Sequence, residues 1–372
     1  MRISTSLQHD VWHDLKEAGS YEWWYFDAVD EKNDLSIVAI WFSGFPFSPY
    51  YIHRYNKWVV SGRNGKNFPN PLEHTAFSFN LYSKGTEVIN FIKEGESSLF
   101  ESSKENPYAK FEQNTFYYDA EKKSYVLEFD FQMPARRKQV KGKIVFSIST
   151  FDQTYDISEY SYGETQHSWI LVSPKANVEG EIVVYNGVKN KLQKFNFIGN
   201  GYHDHNYGTL PMNTDIEKWY WGRAHTNNIE IVYYIISYKN KKHEPFAFLM
   251  AIENDKIMVL DNNFSLSEDG HKKNFFIPHY SQMVTLTNQD ISFTVSHKQG
   301  LDIGPFYLRF KSNFSLKMPN GKNIEMNGIS EFLDPGSIDS SFVRGLIKSK
   351  IWRQGNHSVM YSLYNFIFKF LD

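Results

Sequence analysis

The chain has 372 residues, 22% of them charged, a formal net charge of −2 and no cysteine. That balance gives no global basic field to hold nucleic acid, and the missing thiols exclude disulfides, cysteine nucleophiles and thiolate metal sites. Aromatic residues make up 17% of the chain, with 24 Tyr, 31 Phe and 9 Trp, an excess that suits pleated, half-buried strands.

The opening stretch MRISTSLQHDVWHD lacks the apolar segment of a secretion signal, and no apolar run reaches the length of a membrane-crossing helix. A cytoplasmic location is expected. From Tyr21 the chain reads as short β-favouring runs separated by polar or Gly/Asn-bearing turns: Leu35 to Phe42, Thr75 to Tyr82, Thr115 to Asp119, Tyr125 to Met133 and Gly142 to Thr150. In YVLEFDFQM the alternation is explicit. Tyr125, Leu127, Phe129 and Phe131 share one face, and Glu128, Asp130 and Gln132 the other.

A second strand series starts near residue 179 and continues to about residue 332. The expected architecture is therefore all-β, with two consecutive antiparallel barrel or sandwich domains and short C-terminal helices. Pro, Lys and Asn interrupt the apolar pattern in LVSPKANVEG, Leu171 to Gly180, which sets the expected boundary between residues 1–175 and 176–372. SSFVRGLIKSKIW and SVMYSLYNFIFKFLD have helical spacing. The second carries Met360, Leu363, Tyr364, Ile367, Phe368 and Leu371 on one stripe with a single lysine, Lys369. Docking on the protein is the first reading and peripheral contact with a membrane the second.

Four segments hold the candidate chemistry. In YEWWYFDA an extended chain puts Glu22, Trp24 and Phe26 on one face and Trp23, Tyr25 and Asp27 on the other. TQHSW places His167 and Trp169 together. In GYHDHNYG, Gly201 to Gly208, His203, His205 and Tyr207 project one way, and Tyr202, Asp204 and Asn206 the other. Two histidines at i and i+2 can share a metal, but a site needs a third and usually a fourth ligand; His167, His225 and Glu22 are candidates, yet no companion motif with ligand spacing appears, so a hydrogen-bonded pocket lining is expected rather than a metal, with a metal-dependent enzyme on His203 and His205 as a third reading. WYWGRA aligns Trp219, Trp221 and Arg223, and Arg223 can stack on the indoles or brace a carboxylate. No phosphate-binding glycine loop, dinucleotide fingerprint or nucleophile elbow occurs, so no organic cofactor is expected either. Aromatic faces can stabilise a passing carbocation, and a carboxylic acid held neutral by burial can deliver a proton.

GSYEWWYFDA, QHSW followed by SPKANVEG, GNGYHDHNYG and WYWGRA, in this order, resemble the carotenoid 1,2-hydratase (hydroxyneurosporene synthase) family and its AttH-like relatives. The wider lipocalin-like group is similar to cofactor-free Diels–Alderases. The resemblance implies two lipocalin-like domains with a hydrophobic cavity, and hydration of an acyclic carotenoid through protonation and a tertiary cation. It also implies functional roles for His205 and Tyr207, where the hydratases usually have Trp at the second position, and for a Tyr/Asp pair after WGRA. At that place Ile231 to Tyr238 offers Tyr233 and Tyr234 and no aspartate. Glu22 or Asp204 is then the candidate acid. The catalytic candidates are Glu22, His167, Asp204, His205 and Tyr234, with Trp23, Trp24, Tyr25, His203, Tyr207, Trp219, Trp221, Arg223 and Tyr233 as substrate contacts. The expected function is a cofactor-independent hydratase, cyclase or isomerase acting on a polyene, terpenoid or polyketide-like chain, and the alternative is a carrier of a pigment or lipid.

Overall fold

The computed structural model describes residues 2–148, 156–157, 167–226, 228–239, 244–274 and 277–354. The chain divides into two compact units, Met1–Pro211 with Arg344–Asp372, and Met212–Val343.

The strands of the first unit are β1 (Arg2–Ser4), β2 (Tyr21–Asp30), β3 (Leu35–Ser43), β4 (Thr75–Ser83), β5 (Thr86–Gly95), β6 (Phe100–Ser102), β7 (Tyr108–Phe111), β8 (Asn114–Asp119), β9 (Ser124–Met133), β10 (Lys138–Ile148), β11 (Asp156–Ile157), β12 (His167–Asn186) and β13 (Lys191–Gly208). Among the described residues they form one sheet in the order β5-β4-β3-β2-β13-β12-β10-β9-β8-β7-β6, with β1 and β11 off this path. Neighbours are antiparallel except for the short parallel pairing of β1 with β12. The sheet curls on itself, because strands far apart in this order meet through their inward rings: Phe79 of β4 lies 4.7 Å from Phe129 of β9, and Phe91 of β5 stacks on Phe131 at 4.5 Å. Trp24, Phe26, Trp41, Phe77, Phe116 and Phe146 complete this core. Each such buried side chain contributes about 1.5–3 kcal/mol of transfer free energy.

The alternation in β9 is the one expected: Tyr125, Leu127, Phe129 and Phe131 are buried, while Glu128 and Asp130 are half-buried and Gln132 is exposed. The boundary expected at 175/176 falls inside β12, and the compact unit extends to Pro211 instead. Pro174, read as an interruption, sits at a register shift between Ser173 and Ala176. A bulge there lets the strand continue past a residue that has no N–H to give the ladder. One helix was not expected: α1 (Pro49–Val60) starts where Ser48 accepts from the backbone N–H groups of Tyr50 and Tyr51, with proline in the first turn.

The second unit holds β14 (Ile216–His225), β15 (Ile229–Tyr238), β16 (Phe246–Glu253), β17 (Lys256–Asp261), β18 (Ser265–Asn274), β19 (Ile277–Thr287), β20 (Ser292–Ile303), β21 (Tyr307–Lys317) and β22 (Asn323–Leu333). Their order is β17-β16-β15-β14-β22-β21-β20-β19-β18, antiparallel throughout. This sheet curls as well. Tyr233 of β15 lies 5.5 Å from Phe293 of β20, and the Tyr220 hydroxyl of β14 donates to Glu268 Oε1 of β18 at 2.7 Å. The fold is all-β, two curled antiparallel lipocalin-like sheets, followed by α2 (Ser341–Lys350) where the first helical spacing was read. The helix expected beyond residue 355 lies outside the described residues. Among the described residues no helix is long and apolar enough to cross a membrane.

Candidate active site

The site grows from the pairing of β2 with β13. In that register Glu22 faces Tyr207, Trp24 faces His205, and Phe26 faces His203. Period-two alternation puts these six side chains on one face of the sheet. Contact follows register: Trp24 stacks on His205 at 4.5 Å, and Phe26 on His203 at 3.8 Å with the planes only 6° apart. Gly201 is glycine because a Cβ there would stand 2.5 Å from Phe146 and Val178 of the neighbouring core.

The residues that complete the site come from the opening segment. Strand β1 pairs with β12, Ser6 caps a short helical turn at Leu7–His9, and Asp10 follows it. Trp12 then ties the chain down, its backbone N–H donating to Ser103 O at 2.9 Å and its indole N–H to Ser43 Oγ at 3.2 Å. These anchors present Asp10 and His13 to the histidine face of β13.

A buried network results. His203 Nδ1 lies 2.9 Å from Tyr25 O, and its Nε2 lies 3.0 Å from Asp10 Oδ2. The Tyr125 hydroxyl donates to the same Asp10 oxygen at 2.5 Å. His205 Nδ1 stands 3.0 Å from Asp10 Oδ1, an ion-pair contact without hydrogen-bond alignment. On the other side of the ring, His205 Nε2 is 2.9 Å from Glu22 Oε1. His13 Nδ1 meets that same oxygen at 2.8 Å, and the His13 backbone N–H donates to both Glu22 oxygens at 3.0 and 3.3 Å. The His13 ring stacks on Tyr207 at 3.8 Å.

The electrostatics place a proton on His205. Burial alone would drive its pKa down, but the two carboxylates, Asp10 and Glu22, outweigh burial and hold it at about 9. Reciprocally, Asp10 would be raised by burial yet is held at about 2 by His203 and His205. Glu22 is likewise lowered against burial, through His13 and His205. Glu22, read from the sequence as an acid or an orienting carboxylate, accepts hydrogen bonds here, and the proton lies on the imidazole between two carboxylates. Trp24, stacked on that imidazolium, adds a cation–π contact. Among the described residues, His13, Glu22 and His205 are the one trio whose ligand-type atoms lie within 4.8 Å of one another. As they stand, Glu22 Oε1 accepts from three donors, which links the trio as a hydrogen-bond relay.

A family model described as carotenoid hydratase CrtC matches residues 39–360. The chain belongs to the carotenoid hydratase family. It is 39% identical to a hydroxyneurosporene dehydrogenase of Chlorobaculum tepidum over 98% of this chain and 96% of that protein. An acyclic carotenoid 1,2-hydratase of Thiocapsa roseopersicina is 25% identical over 56% of this chain and 45% of its own length. In fold the chain is similar to crystal structures of CghA, with a TM-score of 0.58 at 11% identity over 85% of this chain and 88% of that one, and of an AttH protein from Nitrosomonas europaea. The latter gives a TM-score of 0.55 at 12% identity over 89% and 96% of the two chains. Membership in the carotenoid hydratase family makes the protein an enzyme that acts on a polyene.

Within this family framework the structure sorts the candidates. Glu22, Trp24, His203, His205 and Tyr207 come together as described. Asp204 projects from the opposite face of β13, where it accepts from Trp169 Nε1 at 2.9 Å, the Tyr202 hydroxyl at 2.8 Å and Asn206 Nδ2 at 3.0 Å. Tyr25 is on that face too, its hydroxyl donating to Asp27 at 2.9 Å. His167 meets the Tyr21 hydroxyl at 2.9 Å beside Trp23, and burial lowers its pKa to about 3, leaving it neutral at pH 7. In the second unit Trp221 pairs with Tyr234 across β14 and β15, and Trp219 lies 6.2 Å from the Tyr234 ring. Arg223 shares their face. Tyr233 points the other way, into the core with Tyr220.

Asp10, His13 and Tyr125 were missed as site residues. HDVWHD in the opening segment did carry a signal, two His-Asp pairs four positions apart, but no local period says which strand face an irregular segment will meet.

Proposed function

We propose that the protein adds water across a carbon–carbon double bond of an acyclic carotenoid without an external cofactor. The observation that carries this reading is the His205 imidazolium fixed between the Asp10 and Glu22 carboxylates at 3.0 and 2.9 Å, against the ring face of Trp24. Protonation of a terminal double bond gives a tertiary cation, which water captures with loss of a proton. Such a reaction needs a proton reservoir that gives and recovers one proton per turnover, and aromatic faces beside the cation. The network supplies the first and the half-buried Tyr207 ring, stacked on His13, the second; positioned proton transfer of this kind contributes about 10²–10⁴-fold. It also supplies an alternative to the aspartate absent from Ile231 to Tyr238.

In this reading Glu22 and His205 hold and move the proton, and Asp10 and His203 fix the ring orientations. Asp204, His167, Trp23 and Tyr25 brace the opposite face, while Trp219, Trp221, Arg223, Tyr233 and Tyr234 belong to the substrate-contacting and supporting set of the second unit. A cytoplasmic enzyme drawing its apolar substrate from a membrane surface is part of the same reading.

The test is incubation of the purified protein with an acyclic carotenoid in isotopically labelled water, followed by extraction and mass analysis. The expected product is heavier by one water and carries the label on oxygen. Recovery of unchanged carotenoid would overturn the reading and leave a carrier.

A further inference from the structure

Four side chains of the network are sealed. Asp10, His203 and His205 have no exposed side-chain surface and Glu22 has 1%, whereas the His13 side chain is 24% exposed. His13 is therefore the member of this network that an incoming water molecule can meet from solvent. The geometry there is that of a carboxylate and imidazole dyad. Glu22 Oε1 lies 2.8 Å from His13 Nδ1, and Glu22 is ionised, so Nδ1 carries the hydrogen and donates it. Nε2 is left with its lone pair. No side chain or backbone group among the described residues takes that atom as a partner, while both nitrogens of His205 face carboxylates. The His13 ring cannot turn freely, because it stacks on Tyr207 and its own backbone N–H is bound to Glu22. The neighbouring charge in the chain, Asp14, is paired with Lys16 and Lys104.

We propose that His13 Nε2 is the general base that takes the proton from the water that adds to the substrate cation, a catalytic role resting on the hydration reading above. The step balances. As the water oxygen bonds to the cationic carbon, its O–H bond breaks and the proton joins Nε2. The Nδ1 proton shifts toward Glu22 Oε1, which returns to the network the proton given to the double bond. One water is consumed, and nothing is oxidised or reduced.

The experiment compares wild type, His13→Ala and His13→Gln on an acyclic carotenoid, with circular dichroism to check the fold and carotenoid absorbance to check binding. We expect kcat to fall about 10²-fold or more with little change in KM, and added imidazole to restore turnover to His13→Ala but not to Glu22→Gln. A wild type that hydrates no carotenoid defeats the hydration reading and this proposal with it. A hydrating wild type whose His13 variants bind and turn over within twofold of it defeats this proposal alone. Nitrogen NMR of the intact protein adds a readout independent of folding of the variants: the hydrogen must sit on His13 Nδ1, and a hydrogen fixed on Nε2 at neutral pH would overturn the assignment.

Discussion

His205 Nε2 lies 2.9 Å from Glu22 Oε1, with both side chains withdrawn from solvent. Neither group would be charged in that position alone, since burial disfavours an isolated ion of either sign. Replacing Glu22 by Gln keeps the shape and removes one of the two charges holding the imidazolium. We expect Glu22→Gln to lower the His205 pKa and reduce turnover about 10²–10⁴-fold. Carotenoid hydration and the His205 nitrogen shifts would be followed together, and full turnover with an unmoved titration would remove Glu22 from the chemistry.

Asp10 is the hub of the buried network. Its carboxylate meets His203, His205 and Tyr125 at once. Asp10→Ala removes one of the two carboxylates that hold the His205 imidazolium and leaves His203 and the Tyr125 hydroxyl without their shared acceptor, and breaking a buried pair of this kind costs about 3–5 kcal/mol. Urea denaturation should show a loss of that size; a loss below about 1 kcal/mol would mean that the network contributes little to folding.

Asp204 separates structure from chemistry. It accepts three hydrogen bonds on the face of β13 opposite His205. Asp204→Asn is expected to cost about 1–3 kcal/mol of stability while turnover per folded molecule stays within a few fold. A collapse of kcat in a folded variant would return Asp204 to the chemistry.

The pH dependence of stability has a definite sign. His205 keeps its proton up to about pH 9, whereas the unfolded chain releases it near 6.5. The folded state binds more protons in that window, so its stability falls as pH rises from 6.5 to 9. His167 and His297 titrate at about 3 and about 4 in the fold, both driven down by burial. The unfolded chain binds their protons first, and stability also falls as pH drops from 6.5. Each group acts with a limiting slope of about 1.4 kcal/mol per pH unit. Denaturation profiles across pH should peak near 6.5, and His205→Gln should flatten the alkaline limb.

Gly201 gives a packing test. An added methyl would stand 2.5 Å from Phe146 Cε1 and Val178 Cγ2, both in the first core. Overpacking of this kind costs about 1–3 kcal/mol, so Gly201→Ala should lower the melting temperature, and an unchanged melting curve would show that the core yields there.

The all-β class and the faces of YEWWYFDA and GYHDHNYG were legible because strand alternation is a local property: once each segment is extended, Glu22 and Trp24 must share one side of theirs, and His203, His205 and Tyr207 one side of theirs. The domain boundary was not legible, since a proline ordinarily interrupts a strand and at Pro174 a bulge carries the strand past it. Nor was α1, which runs through aromatic and β-branched residues behind a serine cap.

What the sequence determined by itself is therefore which side chains share a strand face. Only the tertiary structure decided what that face would meet. Asp10 reaches His203 across 193 positions of chain, along an irregular segment that obeys no period. The protonation of the site is equally non-local. Burial pushes Glu22 toward the neutral acid and His205 toward the neutral base, and two opposed charges brought within 3 Å reverse both outcomes.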